Sequence, residues 1–317
     1  MGGDDEIGCS DMHGHKMLDS SHDAVTSVRE LGRRPFRVAY DDGEGPDYHV
    51  KDPVVLLMAG AAASSDFWKP VVDRLQHVDV ITYDRPGLGG TIWPGRYPEL
   101  DEEVASLTDL VGLVQGHWDI GQPRKVILVA HSMAAFHAEA FARMHPEVVA
   151  GVVFVDPSVE WPTHPPRRRS VALPRAVYKV MDSVAGSLGR HAFAVGVMAQ
   201  TARSGSVVWH QFQEHRLHRV YGSPDAMAMA VAEWIGYDQQ AWDLMAVRSQ
   251  HAWPDVPTVL LSAVYSGQEQ ELKLHERLAP MLNARLVVVE NSHHLMMLDR
   301  PEAVSYTHLT LPTSDLV

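Results

Sequence analysis

Ser132 sits in the stretch VILVAHSMAAFH, residues 126–137. Four apolar residues, Val126 to Val129, form the short continuous run typical of a strand buried on both faces. Ala130-His131-Ser132-Met133-Ala134 follows, with an alanine two positions to either side of the serine. Residues 135–144 are then rich in alanine and carry Phe136, Phe141 and Met144 at helical spacing. Strand, sharp turn, helix, with the serine at the turn, is the setting in which a G-x-S-x-G motif forms a nucleophile elbow. The chemistry would be attack on a carbonyl carbon by a hydroxyl held out of a strained turn. That hydroxyl is scarcely ionised at neutral pH, so it needs a base within hydrogen-bond reach, usually histidine. Alanine occupies both glycine positions, which crowds the turn. The same residues also suit a buried serine in an ordinary strand–helix turn, so the decision rests on the partners.

The elements that must position these groups alternate along the chain. Phe36–Tyr40 and Tyr48–Val50 read as strands joined by the turn DDGEGP. Val54–Met58 is a buried strand that empties into AGAAASS, a loop of small residues. Phe67–Gln76 reads as a helix, Val78–Tyr83 as a strand, and Glu102–Trp118 as a helix with Val104, Leu107, Val111, Val114 and Trp118 on one face. Gly151–Val155 is a further buried strand ending at Asp156-Pro157. Alternation then stops. Residues 158–253 read as helical, near Leu173–Val184, Ser206–Tyr221 and Pro224–Val247. Strand and helix resume with Thr258–Ala263, Gln270–Met281 and Leu286–Val289, followed by His293-His294. Such alternation predicts an α/β fold with a mostly parallel sheet flanked by helices. The predicted division is a disordered tail over 1–30, a core over 31–157 and 254–303, and a helical lid over 158–253.

Composition narrows the function classes. The chain has 317 residues, 45% of them hydrophobic, enough to bury a sizeable core. A formal net charge of −13 argues against non-specific nucleic-acid binding. The basic run Arg167-Arg168-Arg169 reads as a solvated loop. One cysteine, Cys9, leaves no intrachain disulfide. No apolar run reaches membrane-spanning length, and the acidic, polar start is unlike a signal peptide, so a soluble cytoplasmic protein is expected. His13, His15, His22 and Cys9 lack a metal-ligand spacing, and neither a metal nor another cofactor is expected.

Four landmarks, in order, give the chain its resemblance to the α/β-hydrolase superfamily over about Phe36 to Ala303. They are the small-residue loop after Val54–Met58, the turn DRPGLGG at residues 84–90, the elbow AHSMA, and the segment HLMMLDRPE at residues 294–302. The resemblance implies a serine hydrolase. His293 and His294 compete as base, and spacing to Pro301 in the resembling motif selects His294. His131, beside the nucleophile, is given no catalytic role. The oxyanion donors implied are the backbone amides of Ala61 and Met133. The usual histidine before Gly60 is here Ala59, which leaves the support of that loop open. The triad acid of most members follows the seventh strand, where this chain reads AVYSGQEQE with no aspartate. Asp156, after the sixth strand, is therefore favoured, with Glu269 the alternative and Glu271 a further one. DRPGLGG lacks the spacing of a dinucleotide or nucleotide phosphate loop.

The expected activity is cleavage of an ester, thioester, lactone or amide of a small, partly apolar acid through an acyl-enzyme on Ser132. A serine at the elbow argues against the dehalogenase and epoxide hydrolase chemistries that use aspartate there. Two alternatives stand beside it: acyl transfer or perhydrolysis at the same serine, and a non-catalytic binding or scaffolding protein that kept the fold. The oligomeric state is left open. Residues 304–317, VSYTHLTLPTSDLV, are expected to be a foreign extension, because reverse translation of this stretch fits a transposon-type sequencing adapter. The helical pattern is expected to collapse at residue 304, with Pro312 unable to continue it.

Overall fold

The computed structural model describes residues 25–31, 34–41, 53–75, 77–117, 124–167, 170–184, 223–265 and 269–309. The expected strand Tyr48–Val50 and helix Ser206–Tyr221 lie outside these residues, as do Trp209, Phe212 and the histidines of the first 24 residues.

Among the described residues eight strands form one sheet, in the order β1-β2-β4-β3-β5-β6-β7-β8. They are β1 (Val25–Leu31), β2 (Arg34–Asp41), β3 (Val54–Met58), β4 (Val80–Asp84), β5 (Val126–His131), β6 (Val149–Val155), β7 (Thr258–Val264) and β8 (Arg285–Glu290). The β1–β2 and β2–β4 pairs are antiparallel, and all the others are parallel. β1 falls inside the stretch expected as a disordered tail. Residues 25–30 are instead paired with β2 over a register running from Val25↔Tyr40 to Leu31↔Arg34.

The central strands are apolar throughout because both faces of the sheet are covered. Along β3, Val54, Leu56 and Met58 enter one core, while Val55 and Leu57 enter the other. β5 does the same, with Val126, Leu128 and Ala130 on the first face and Ile127 and Val129 on the second. Helices α2 (Leu100–His117), α3 (Ala134–Met144) and α6 (Glu269–Met281) supply apolar side chains to the first core. A short 3-10 turn, Ser65–Trp68, with α1 (Lys69–Val72), α7 (Met296–Asp299) and α8 (Pro301–Leu309), supplies the second. α8 runs on through Val304, which is 1% exposed in that core. The expected collapse of the helix at 304 is thus corrected. Pro301 opens the helix at a position where its missing N–H costs nothing, and no further proline occurs before Pro312.

Two helices of the segment 158–253 are described, α4 (Ala172–Val184) and α5 (Pro224–Gln250). Ser223 caps α5, its hydroxyl accepting the Ala226 N–H at 3.0 Å, and Pro224 takes the first helical position. Three polar side chains along α5 bind the core. Glu233 meets Arg85, Gln240 meets His137 Nε2 at 2.6 Å, and Arg248 meets Glu139 Oε2 at 2.7 Å. Glu139 also pairs with Arg143 on its own helix at 2.9 Å.

Candidate active site

The strands β3, β5, β6, β7 and β8 are parallel, so their carboxyl ends gather at one edge of the sheet, where α/β sites form. Ser132 is the first residue past β5 and has φ 52°, in the left-handed region that costs an L-residue roughly 1–2 kcal/mol. Backbone bonds hold it there. Its N–H donates to Val155 O at 3.2 Å, and its carbonyl accepts the Ala135 and Ser158 N–H groups at 3.0 Å each. Ala130 and Ala134 are fully buried on either side, which is why only small residues suit those positions.

The structure brings Ser132, His294 and Asp156 together. His294 Nε2 lies 3.0 Å from Ser132 Oγ, and its Nδ1–H donates to Asp156 Oδ2 at 2.6 Å. The competing His293 stacks on Tyr265, ring centroids 4.0 Å apart, and its backbone N–H donates to Asp299 Oδ2 at 2.7 Å. That bond fixes the loop from which His294 projects. Burial raises the Asp299 pKa, and the His293 N–H opposes the shift.

Asp156 is itself held in a left-handed conformation, φ 44°, at the end of β6. Its N–H donates to Leu261 O at 2.8 Å, and its Oδ1 accepts the Ala263 N–H at 2.9 Å. The carboxylate thus leans across the end of β7, the strand after which most relatives of the resembling superfamily carry their acid. Glu271 is exposed on α6, and the Glu269 side chain lies outside the described residues. His275, which the sequence reading did not single out, buttresses this corner. Its Nε2–H donates to Pro157 O at 2.9 Å while Nδ1 accepts the Ser262 hydroxyl at 2.7 Å.

His131 is also more than a bystander. It is 2% exposed, and its Nε2–H donates to the backbone carbonyl of His294 at 2.9 Å. The two imidazoles lie 4.6 Å apart, centroid to centroid. Burial, reinforced by the proximity of His294, lowers the His131 pKa well below its ordinary value. His131 is therefore a neutral strut between the elbow and His294. Nothing local in the sequence marks it, because its partner lies 163 residues away.

Ala61 lies in the loop after β3, and Met133 directly follows the serine. Met133 caps the N-terminus of α3, where helix N–H groups have no intrahelical acceptor. The loop bearing Ala61 presses onto the elbow: a Cβ on Gly60 would meet His131 Nδ1 at 2.7 Å and Ser132 Cβ at 2.9 Å. The DRPGLGG turn is packed against its neighbours from Asp84 to Gly89, while Gly90 is exposed. Asp84 accepts the Ser65 N–H at 2.5 Å and its hydroxyl at 3.0 Å. Gly89, φ 58°, lies against the Asp84 carboxylate, and Gly87 lies against Met229 of α5.

Among the described residues no three His, Cys, Asp or Glu side chains converge as metal ligands, and no helix is long and apolar enough to cross a membrane. A groove of about 610 Å³ runs between α2, α5 and Met144, lined by Leu100, Val104 and Val247 among others. It contains none of Ser132, Asp156 or His294.

Among curated proteins none matches the chain by sequence. Solved structures share its fold at low identity. The enol-lactonase of Burkholderia xenovorans LB400 superposes with TM-score 0.59 at 18% identity, over 90% of this chain and 99% of that one. An N-formylmaleamic acid deformylase from Pseudomonas putida S16 gives 0.58 at 20% identity, over 90% and 100%. A thermophilic esterase from Thermogutta terrifontis gives 0.58 at 19% identity, over 90% and 96%. The sequence pattern of the alpha/beta hydrolase family matches residues 54–305, from β3 into α8. The chain belongs to that family and is a hydrolase of the α/β fold.

Proposed function

We propose that the chain is a serine hydrolase that cleaves an ester, thioester, lactone or amide through an acyl-enzyme on Ser132. The observation that carries this reading is the unbroken relay from Ser132 Oγ to His294 Nε2, 3.0 Å, and from His294 Nδ1 to Asp156 Oδ2, 2.6 Å. Ser132 Oγ attacks the acyl carbon as its proton passes to His294 Nε2. The carbonyl oxygen takes up negative charge and is met by the Ala61 and Met133 N–H groups. His294 then delivers the proton to the departing alcohol, thiol or amine. Water, deprotonated by the same nitrogen, attacks the acyl-enzyme, and collapse releases the acid and restores Ser132. Asp156 keeps the imidazole in the Nδ1–H form and stabilises the imidazolium formed in each half-reaction.

The similar folds named above act, by name, on an enol-lactone, an ester and a formylated amide. A small acyl compound with an apolar part is the substrate class we infer for this chain. The test is labelling with a fluorophosphonate, followed by peptide mass spectrometry. The expected result is one adduct, on Ser132, that disappears in Ser132→Ala. A folded protein that takes no label would overturn the reading in favour of a non-catalytic role.

A further inference from the structure

We propose that Arg85 and Glu233 form a buried clamp that sets the direction of the Ala61 N–H, and so act as positioning residues for the oxyanion. The inference rests on the serine hydrolase reading above and deepens it.

The arrangement has five contacts: three hydrogen bonds to one loop, one between the two clamp residues, and one steric contact of the loop itself. Arg85 Nη1 donates to Ala59 O at 2.6 Å, and Nη2 donates to Gly60 O at 2.7 Å. Arg85 Nε donates to Glu233 Oε1 at 2.6 Å, and Glu233 Oε2 accepts the Ala62 N–H at 2.5 Å. The fifth contact is steric, Gly60 packed on His131 and Ser132. A trans peptide is planar, with its C=O and N–H pointing in opposite directions. Drawing Gly60 O toward Arg85 therefore points the Ala61 N–H the opposite way within that plane, away from Arg85. Drawing the Ala62 N–H toward Glu233 fixes the next plane in the same way. Both peptides flanking the Ala61 α-carbon are oriented by one ion pair. The loop needs this restraint, because Ala62 is held at φ 54°, a conformation that an alanine does not adopt freely.

The pair has the character of a device rather than of a surface ion pair. The two side chains are 2% and 0% exposed, and they come from different parts of the chain, the DRPGLGG turn after β4 and the middle of α5. Burial works against the Arg85 charge, yet the Glu233 carboxylate beside it leaves the guanidinium pKa raised overall. A planar guanidinium can serve two carbonyls and a carboxylate together, and a lysine ammonium of similar reach cannot reproduce that fork. The position before Gly60 is Ala59, which offers no polar side chain, so beside the backbone bond from the Ala63 N–H to Gly60 O at 3.2 Å the side-chain support of these two carbonyls comes from outside the loop. Glu233 also makes α5 part of the site's fixed frame.

The test combines kinetics, an oxyanion mimic and exchange. Fluorophosphonate labelling of the wild type comes first, and its absence would sink the serine reading itself. Arg85→Lys and Glu233→Gln are then compared with Arg248→Gln, which loosens α5 at its pair with Glu139, away from the loop. If the clamp orients the donor, both clamp variants lose on the order of 10²-fold in kcat with little change in KM, the scale of one oxyanion donor. Inhibition by a trifluoromethyl ketone, which forms an oxyanion on Ser132, weakens in parallel, and Arg248→Gln keeps its kcat. Undiminished kcat in folded clamp variants overturns the clamp while leaving the serine reading intact. An equal loss in Arg248→Gln also overturns it, since general loosening of α5 would then be the cause. Should the clamp variants not fold, amide exchange in the wild type decides. The Ala62 N–H is expected to exchange as slowly as the amides of β5, and fast exchange rules out the clamp.

Discussion

The Asp156 carboxylate lies 2.6 Å from His294 Nδ1 through one oxygen while the other accepts the Ala263 N–H at 2.9 Å. An acid at the end of β6 thereby reaches the histidine after β8 by leaning across the end of β7. Strand order makes this feasible, because β6, β7 and β8 are consecutive neighbours in the sheet.

Asp156→Asn is therefore expected to lower kcat on the order of 10⁴-fold, since an amide in that place favours the wrong imidazole tautomer. Glu271→Gln, on an exposed face of α6, is expected to be nearly silent, and so is Glu269→Gln. Steady-state rates on p-nitrophenyl esters check this. A large loss in Glu269→Gln with little in Asp156→Asn would move the acid to the chain after β7.

The strained elbow gives a stability prediction that is separate from activity. Ser132→Ala and Ser132→Gly are both expected to be inactive. Only glycine relieves φ 52°. The left-handed penalty is roughly 1–2 kcal/mol, and glycine's extra chain entropy offsets about 0.5–1 of it. Ser132→Gly is thus expected to exceed Ser132→Ala in stability by about 1 kcal/mol in urea denaturation. Equal midpoints would mean that the turn is not strained.

His131 gives a pH dependence. Its folded-state pKa lies well below 6.5, the ordinary value it regains on unfolding. Between those two values the unfolded chain binds the proton and the folded one does not, so stability rises with pH there. Its contribution is complete above about pH 6.5 and shrinks as pH falls below that. His131→Gln, which does not titrate, is expected to show a shallower loss of stability from pH 7 to 5 than the wild type. Parallel slopes would contradict a buried neutral imidazole.

Much of this site could be read in the chain because its parts are local. The elbow is a buried strand run followed at once by small residues, and the C-terminal histidine precedes Pro301 at short range. The contacts that complete the site are long-range. Arg85 and Glu233 are 148 residues apart, and nothing in the sequence around Glu233 distinguishes it from other acidic residues on a helix. The Asp156–His294 contact was hidden for the same reason: the two are 138 residues apart, and which strands are neighbours is not written in the local sequence. β1 was missed because VTSVREL continues a polar, histidine-rich stretch and acquires its regularity only by pairing with β2.

Gly60 brings the loop bearing Ala61 against the elbow, and its substitution tests their close approach. A methyl group there would sit 2.7 Å from His131 Nδ1 and 2.9 Å from Ser132 Cβ. Neither neighbour can yield cheaply. The His131 ring is buried and held by the His294 carbonyl, and Ser132 is fixed by three backbone bonds. The loop must therefore rise, which pulls Gly60 O and Ala59 O off Arg85 and tilts the Ala61 N–H. Gly60→Ala is expected to cost about 1–3 kcal/mol of stability, the usual range for a methylene forced into a packed site. Its kcat should fall by more than that instability explains when assayed under conditions where the variant is fully folded. Denaturation curves and rates on the same preparation separate the two effects. A stable, fully active Gly60→Ala would mean that the loop stands off from Ser132, too far for Ala61 to serve the same carbonyl oxygen as Met133.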